Sequence, residues 1–174
     1  MKFLKLLIFS ILLGSCETEI KVENQKSPEE LKAEINVALN DWHKAAAEAN
    51  FENYFNLMTT DGVFIGTDAT ENWQNDAFRA FSKPYFDTGK AWDFTAIERN
   101  IYLYEDKKIA WFDELLDTQM KLCRGSGVLK LVNNQWKVAH YVLSIAIPNE
   151  NVSEVVKIKT SFDSIYTKRL LIKK

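Results

Sequence analysis

The sequence predicts an α+β fold in which helices come first and long antiparallel strands follow. Up to about residue 86 the apolar residues recur at helical spacing, whereas from Trp92 onward they alternate with polar residues at a period of two. Short polar turns, the first at residues 105–108, separate strands predicted over 92–104, 109–120, 122–132 and 135–147. Because helices and strands are segregated along the chain, the class is α+β.

Three helices are predicted before the strands. The first begins at Ser27, which Pro28 and Glu30 follow in the pattern of a capping box. Its buried stripe comprises Leu31, Ile35, Leu39, Trp42, Ala46 and Ala49. A short second helix starts after Asn50 and ends at a turn over 59–62. A short strand at 63–65 and a third helix over about 75–86 complete this half.

The last two strands are predicted to form a hairpin around Asn133-Asn134, because asparagine tolerates the positive φ of a two-residue turn. Lys130 then faces Lys137, and two like charges opposite each other are tolerable only in water. The lysine face is therefore expected to point outward and the Trp136 face inward. That inner face pairs Leu131 with Trp136, Leu129 with Val138, Gly127 with His140, Gly125 with Val142 and Cys123 with Ser144. The two glycines would leave a hollow beside an inward-facing His140.

This hairpin also carries a family resemblance. Residues 124–127 read RGSG and residues 136–144 read WKVAHYVLS, which resembles the closing hairpin of the SnoaL-like branch of the NTF2-like superfamily, often W-x-x-x-H-x-H-x-S. Trp136, His140 and Ser144 match this pattern, and Val142 replaces the second histidine. Residues 66–73, GTDATENW, are similar to a G-T-D-x-x-E-x-W segment of the same branch. The resemblance implies an NTF2-like cone, a curved antiparallel sheet wrapped around the long N-terminal helix, over about residues 27–148.

The N-terminus is predicted to direct export. In residues 1–15, Lys2 and Lys5 flank an apolar run over 6–13, which is far shorter than the roughly 20 residues that span a bilayer. The sequence around Cys16 resembles a bacterial lipoprotein cleavage box, which implies a lipid on Cys16 and anchoring to the cell envelope, in the periplasm or at the outer-membrane surface. An ordinary cleaved signal peptide is the alternative. Residues 16–26 are a polar tether, and residues 149–174 form a C-terminal extension, helical or a strand.

Composition limits the function classes. The 174 residues, 47% of them hydrophobic, suit one domain with a substantial core, and a net charge of −2 without a basic cluster argues against a nucleic-acid partner. The glycine motifs of dinucleotide and phosphate sites are absent, and the two histidines lack a paired ligand spacing. We therefore expect neither a metal nor a cofactor. Cys123 is the only cysteine outside the signal region, so the fold rests on packing.

Several side chains are candidates for a ligand site. An inward-facing His140 would hydrogen-bond a ligand, or else a neighbour within the core. Asp68 follows the first strand, where related isomerases carry a carboxylate base, but a turn or cap role is the alternative. Trp111 and Asp113 share one strand face, which lines the cavity if it is concave and a dimer surface if it is convex. The remaining candidates for the pocket wall are Trp73 and Trp136, together with Trp42, Tyr54, Phe64 and Phe78, for which core packing is the alternative.

Three functions fit these observations. The first is an exported, lipid-anchored domain that binds a small, largely apolar molecule and performs no chemistry. The second is an isomerase, dehydratase or cyclase in which Asp68 or Asp113 removes a proton. The third is a scaffold that forms a homodimer through its sheet and binds protein. The fold accommodates all three functions, so the geometry of the site has to separate them.

Overall fold

The computed structural model describes residues 26–172, and it confirms the α+β class with a curved, open sheet. The predicted signal peptide, Cys16 and all but the last residue of the tether lie outside the described residues. Within residues 26–172, no helix is long and apolar enough to cross a membrane. The elements are α1 Pro28–Ala47, α2 Phe51–Asn56, β1 Met58–Ile65, β2 Asn72–Gln74, α3 Asn75–Asp87, β3 Phe94–Leu103, β4 Ile109–Thr118, β5 Lys121–Val132, β6 Gln135–Ile145, a 3-10 turn Asn149–Asn151 and α4 Val152–Ile172.

The six strands form one sheet in the order β2-β1-β6-β5-β4-β3. All neighbours pair antiparallel except β1 and β6, which are parallel. Helix α1 packs its apolar stripe against the inner face of this sheet, and Leu39 and Trp42 at its centre are fully buried. The predicted capping box is present, because the Ser27 side chain accepts from the Glu30 amide at 3.2 Å and Glu30 accepts from the Ser27 amide at 2.7 Å.

The second helix is shorter and the first strand is longer than the sequence predicted. Helix α2 ends at Asn56, and Met58, expected on the helix, is the first residue of β1. The register between β1 and β6 shifts between Met58 and Val63, so the predicted turn over 59–62 is an irregular stretch inside the strand. Polar turn-forming residues at 59–62 therefore mark a break in strand pairing instead of the end of the element.

The closing hairpin has the predicted turn. Asn133 and Asn134 have φ values of 50° and 61°, as a two-residue turn requires. Near the turn the predicted register is confirmed, with Leu131 opposite Trp136, Lys130 opposite Lys137 and Leu129 opposite Val138. The Trp136 face points inward and Trp136 is buried, as expected.

Beyond Val138 the predicted register is wrong, because a β-bulge at Ala139 shifts every later pair by one residue. His140 is opposite Val128 instead of Gly127, and Val142 is opposite Ser126 instead of Gly125. Tyr141, expected on the outer face, faces Gly127 and is 0% exposed. Because strand side chains alternate between faces, the inward orientation predicted for His140 is wrong, and it lies on the outer face with the lysines. Cys123 likewise pairs with Ile145 instead of Ser144.

The hollow expected beside the two glycines is also absent. A Cβ atom on Gly125 would lie 2.2 Å from the Tyr141 hydroxyl, and one on Gly127 would lie 2.9 Å from the Phe112 ring. The glycines thus admit the Tyr141 and Phe112 rings into the core, where a side chain in their place would collide. This part of the inner face is filled by protein and cannot hold a ligand.

The alternation of burial along β4 shows which of its residues lie on the outer face of the sheet. Phe112 and Glu114 are buried on the inner face, so Trp111 and Asp113 lie on the outer, convex face. Trp111 and Asp113 therefore do not line the inner cavity.

The C-terminal extension is the helix α4, and none of its residues is buried; Ile158, for example, is 83% exposed.

Candidate functional site

The inner face of the sheet holds a buried polar cluster centred on Glu114, which is fully buried on β4. Its Oε1 accepts from the Tyr141 hydroxyl at 2.9 Å and lies 2.9 Å from Nε2 of His43 on α1. Its Oε2 accepts from Nε of Arg99 on β3 at 2.8 Å, and Nη2 of the same guanidinium is also 2.8 Å away, though not aligned as a hydrogen bond. A carboxylate that accepts several such bonds is held in its charged form.

This cluster joins the first helix to the sheet. Arg99 Nη1 donates to the side-chain oxygens of Asn36 and Asn40 at 2.7 and 2.8 Å, one turn apart on α1. Burial by itself raises the pKa of Glu114, but the hydrogen bonds and charges of His43 and Arg99 outweigh it, and the net pKa lies below its ordinary value. Arg99 and Asn36 line an open groove between α1 and β3. Glu114, His43 and Tyr141 are buried, and their hydrogen bonds are made within the core, so we interpret the cluster as structural.

The candidate ligand site is a pocket at the end of the sheet where β4 turns into β5. We call it the aromatic pocket, and its volume is about 120 Å³. Its lining residues come from β1, the β1–β2 loop, β2, α3, the start of β3 with the segment before it, the β4–β5 turn and β6. They are Phe64, Gly66, Thr67, Glu71, Trp73, Phe78, Phe81, Trp92, Phe94, Gln119, Met120 and Leu143.

The walls are rings that pack on one another. Phe64 stacks on Phe78 with centroids 4.1 Å apart, and Trp73 stacks on Phe81 at 4.3 Å. Trp92 lies parallel to Phe78, at 5.8 Å. Each wall ring is thus fixed by a neighbour before any ligand arrives, which lowers the entropy cost of binding.

The polar side chains of the pocket are at its rim. Glu71 packs closely over Gly66. A Cβ atom on residue 66 would lie 2.1 Å from Oε2 of Glu71, which explains why this residue is glycine. The same oxygen accepts from the Asp68 amide at 3.2 Å, and Thr67 and Gln119 add a hydroxyl and an amide. The segment 66–73 that resembles the SnoaL-like pattern therefore contributes Gly66, Thr67, Glu71 and Trp73 to the pocket.

Of the sequence-predicted site residues, Trp73 lines the aromatic pocket, and so do Phe64 and Phe78, which are also packed in the core. Trp42 and Tyr54 are buried in the core, where their rings stack at 4.9 Å, and Trp136 is buried beneath the hairpin. Asp68 is in an exposed turn and accepts from the Thr70 amide at 2.8 Å and its hydroxyl at 2.6 Å. These bonds lower the pKa of Asp68, as expected for the turn role and opposite to what a base needs.

The remaining predicted residues, His140, Trp111 and Asp113, lie on the outer face of the sheet and do not meet the pocket. Sequence reasoning missed Trp92 and Phe81 as wall residues. It also missed Glu114, although the apolar alternation along β4 places that carboxylate in the inward phase. Over residues 26–172, no group of three or more His, Cys, Asp or Glu side chains is arranged to hold a metal ion.

Solved structures share this fold at low sequence identity. An NTF2-like protein of unknown function from Pseudomonas putida is 14% identical, with a TM-score of 0.59 over 72% of this chain and 94% of that one. An NTF2-like family protein from Streptomyces avermitilis, named as a candidate dehydratase, is 10% identical, with a TM-score of 0.61 over 70% of this chain and 100% of that one. The association domain of C. elegans CaMKII is 18% identical, with a TM-score of 0.56 over 67% of this chain and 96% of that one.

At these identities the structural similarity shows the fold and nothing of the activity. No curated protein matches the sequence significantly. The sequence does match the profile of the SnoaL-like domain over residues 35–148, which is more than half of the chain. The curved sheet, the long first helix and this match agree, and the chain belongs to the SnoaL-like domain family within the NTF2-like fold.

Proposed function

We propose that this protein is exported, is anchored to the bacterial cell envelope through a lipid on Cys16, and binds a small, largely apolar molecule in the aromatic pocket. The observation that carries the binding proposal is the ring lining of an open pocket, with six aromatic side chains among its twelve lining residues. A pocket of about 120 Å³ is below the range of about 300–1,000 Å³ that is usual for drug-sized ligands. The ligand is therefore a small molecule or one end of a larger one.

Binding is tested with the mature chain and a small neutral probe, tert-butylbenzene, by ligand-observed NMR. Trp73→Ala should abolish binding, because it removes one wall of the pocket and the ring on which Phe81 stacks. Trp111→Ala is the matched control, since that indole is on the outer face. Mass spectrometry of the protein purified from its host should also detect a co-purified molecule. Absence of probe binding together with absence of such a molecule would contradict the proposal.

The lipid anchor has its own test. Intact mass and peptide mapping of the membrane-associated protein should show an N-terminus at Cys16 that carries a diacylglyceryl group. Cys16→Ser should release the protein from the membrane fraction. A mature N-terminus at another residue, with no added lipid mass, would refute the anchor and leave the binding proposal intact.

A homodimer through the outer sheet face is the second candidate. Tyr102 and Trp111 pair across β3 and β4, their rings stack at 5.7 Å, and they remain 43% and 45% exposed. Ile97, Ile109 and Leu122 add further exposed apolar side chains to these outer strands. Exposed aromatic residues on a sheet are typical anchors of protein interfaces.

Light scattering should give the mass of a dimer for the mature chain and of a monomer for Trp111→Lys. Trp73→Ala, on the opposite side of the sheet, serves as the control that keeps the dimer. A monomeric unmodified chain would remove this candidate. Asp68 and Asp113, the bases proposed for the enzyme alternative, are both outside the pocket.

A further inference from the structure

We infer that the ligand of the aromatic pocket is a small organic cation, such as an alkylated ammonium group attached to an apolar body. This inference rests on the proposed binding function and adds the charge class of the ligand. Two features carry it: the charge of the pocket rim and the chemistry of the walls.

The rim of the pocket is acidic. Of the described residues that line the pocket, Glu71 alone has an ionisable side chain, and none is Lys, Arg or His. Among residues 26–172, Glu71 forms no ion pair. An adjacent groove that shares Trp92 and Gln119 with the pocket contributes one base, Lys90, and two acids, Asp93 and Asp117. The charge at the mouth is therefore net negative, which attracts a cation and repels an anion.

The Glu71 carboxylate is held in place at this rim. Its Oε2 accepts from the Asp68 amide at 3.2 Å and packs over Gly66. No further hydrogen bond of this carboxylate is found within the part of the chain that the structure describes. The second oxygen is thus available to a ligand, and the contact with the backbone limits the side-chain freedom lost on binding.

The walls favour a cation over a neutral group of the same shape. The faces of aromatic rings carry partial negative charge, so a cation near an indole or phenyl face is attracted to it. Trp73 and Trp92 belong to the ring type that attracts cations best, and Phe81 adds another ring. Aromatic cages are a recurring recognition site for quaternary ammonium groups.

The test compares three phenyl probes of different charge on the mature chain by isothermal titration calorimetry. They are phenyltrimethylammonium, the neutral tert-butylbenzene and the anionic benzoate. We expect the cation to bind about tenfold more tightly than the neutral probe, a ratio that corresponds to one cation–π or ion-pair contribution of ordinary size. Benzoate should bind most weakly. Raising the salt concentration should weaken the binding of the cation and leave the affinity for the neutral probe unchanged.

Glu71→Gln should lower the affinity for the cation several-fold, while the neutral probe binds as before; the cation–π attraction of the walls remains in this variant. Retained neutral binding shows that the pocket is intact in this variant. Glu154→Gln, on the exposed helix α4, is the control that should change neither affinity. The inference would be overturned if the cation bound no more tightly than the neutral probe, or if Glu71→Gln lowered the affinity for both probes equally. If the neutral probe binds without a preference for charge, only this inference fails; if no probe binds, the proposed function fails as well.

Discussion

Replacing Glu114 by glutamine should destabilise the domain more than any other single acid-to-amide change in it. The carboxylate accepts from Tyr141 and contacts His43 through one oxygen, and it pairs with Arg99 through the other. An amide has only one oxygen, so its NH2 group must face either Arg99 or the Tyr141 and His43 side. Arg99, whose side chain is 5% exposed, would also lose its buried counter-charge.

Removing one partner of a buried ion pair typically costs about 3–5 kcal/mol, because the remaining charge stays desolvated and unpaired. We expect a loss in this range for Glu114→Gln, measured by urea unfolding at pH 7 with tryptophan fluorescence. That is a large share of the roughly 5–15 kcal/mol stability of a typical domain. Asp113→Asn is the matched control, since the neighbouring acid lies on the outer face and should change stability by no more than about 0.5 kcal/mol.

The pH dependence gives a second readout of the same cluster. Because the pKa of Glu114 in the folded protein is below its ordinary value of 4.5, the unfolded chain binds this proton first as the pH falls. The stabilisation is therefore complete above about pH 4.5 and is lost as the pH falls through the folded pKa. The stability gap between the unmodified protein and Glu114→Gln should narrow below pH 4.5. A gap under about 0.5 kcal/mol at pH 7, or one equal to that of Asp113→Asn, would refute the role of the cluster.

Three further predictions concern the hairpin and the first helix. Gly127→Ala should cost about 1–3 kcal/mol by chemical denaturation, because its Cβ would lie 2.3 Å from the His140 carbonyl oxygen and 2.9 Å from Phe112; unchanged stability would contradict the packing. His140→Ala should leave both probe binding in calorimetry and stability nearly unchanged, and lost binding would show that the ring reaches the pocket. Ser27→Ala should cost about 1 kcal/mol in the same unfolding assay through the lost cap on α1, whereas Glu29→Ala, which has no role in the capping box, should cost less.

Much of the fold could be predicted because local signals and the global structure agree. The capping box at Ser27 and the turn at Asn133-Asn134 depend on backbone groups within a few residues, and both are present as predicted. The alternation along β4 likewise places its residues on two faces. The α+β class follows from the same kind of local periodicity. For the C-terminal extension the sequence left helix and strand open, and the structure forms the helix α4.

The site was less predictable, because a pocket combines residues from separate elements. Trp73 was a candidate from its motif, but Trp92 and Phe81 become its neighbours only when α3 and the start of β3 meet at the end of the sheet. The Glu114 cluster similarly depends on α1, β3, β4 and β6 coming together. No spacing in the sequence indicates such distances.

The sequence by itself determined the order of the helices and of the four long strands, the apolar face of α1 and the position of the hairpin turn, but it did not predict the short strand β2. Only the tertiary structure decided which face His140 occupies, because one extra residue at Ala139 reverses the alternation of every side chain that follows. No local preference marks that bulge. It brings Tyr141 into the core beside the two glycines, and it leaves the aromatic pocket at the end of the sheet as the place for a ligand.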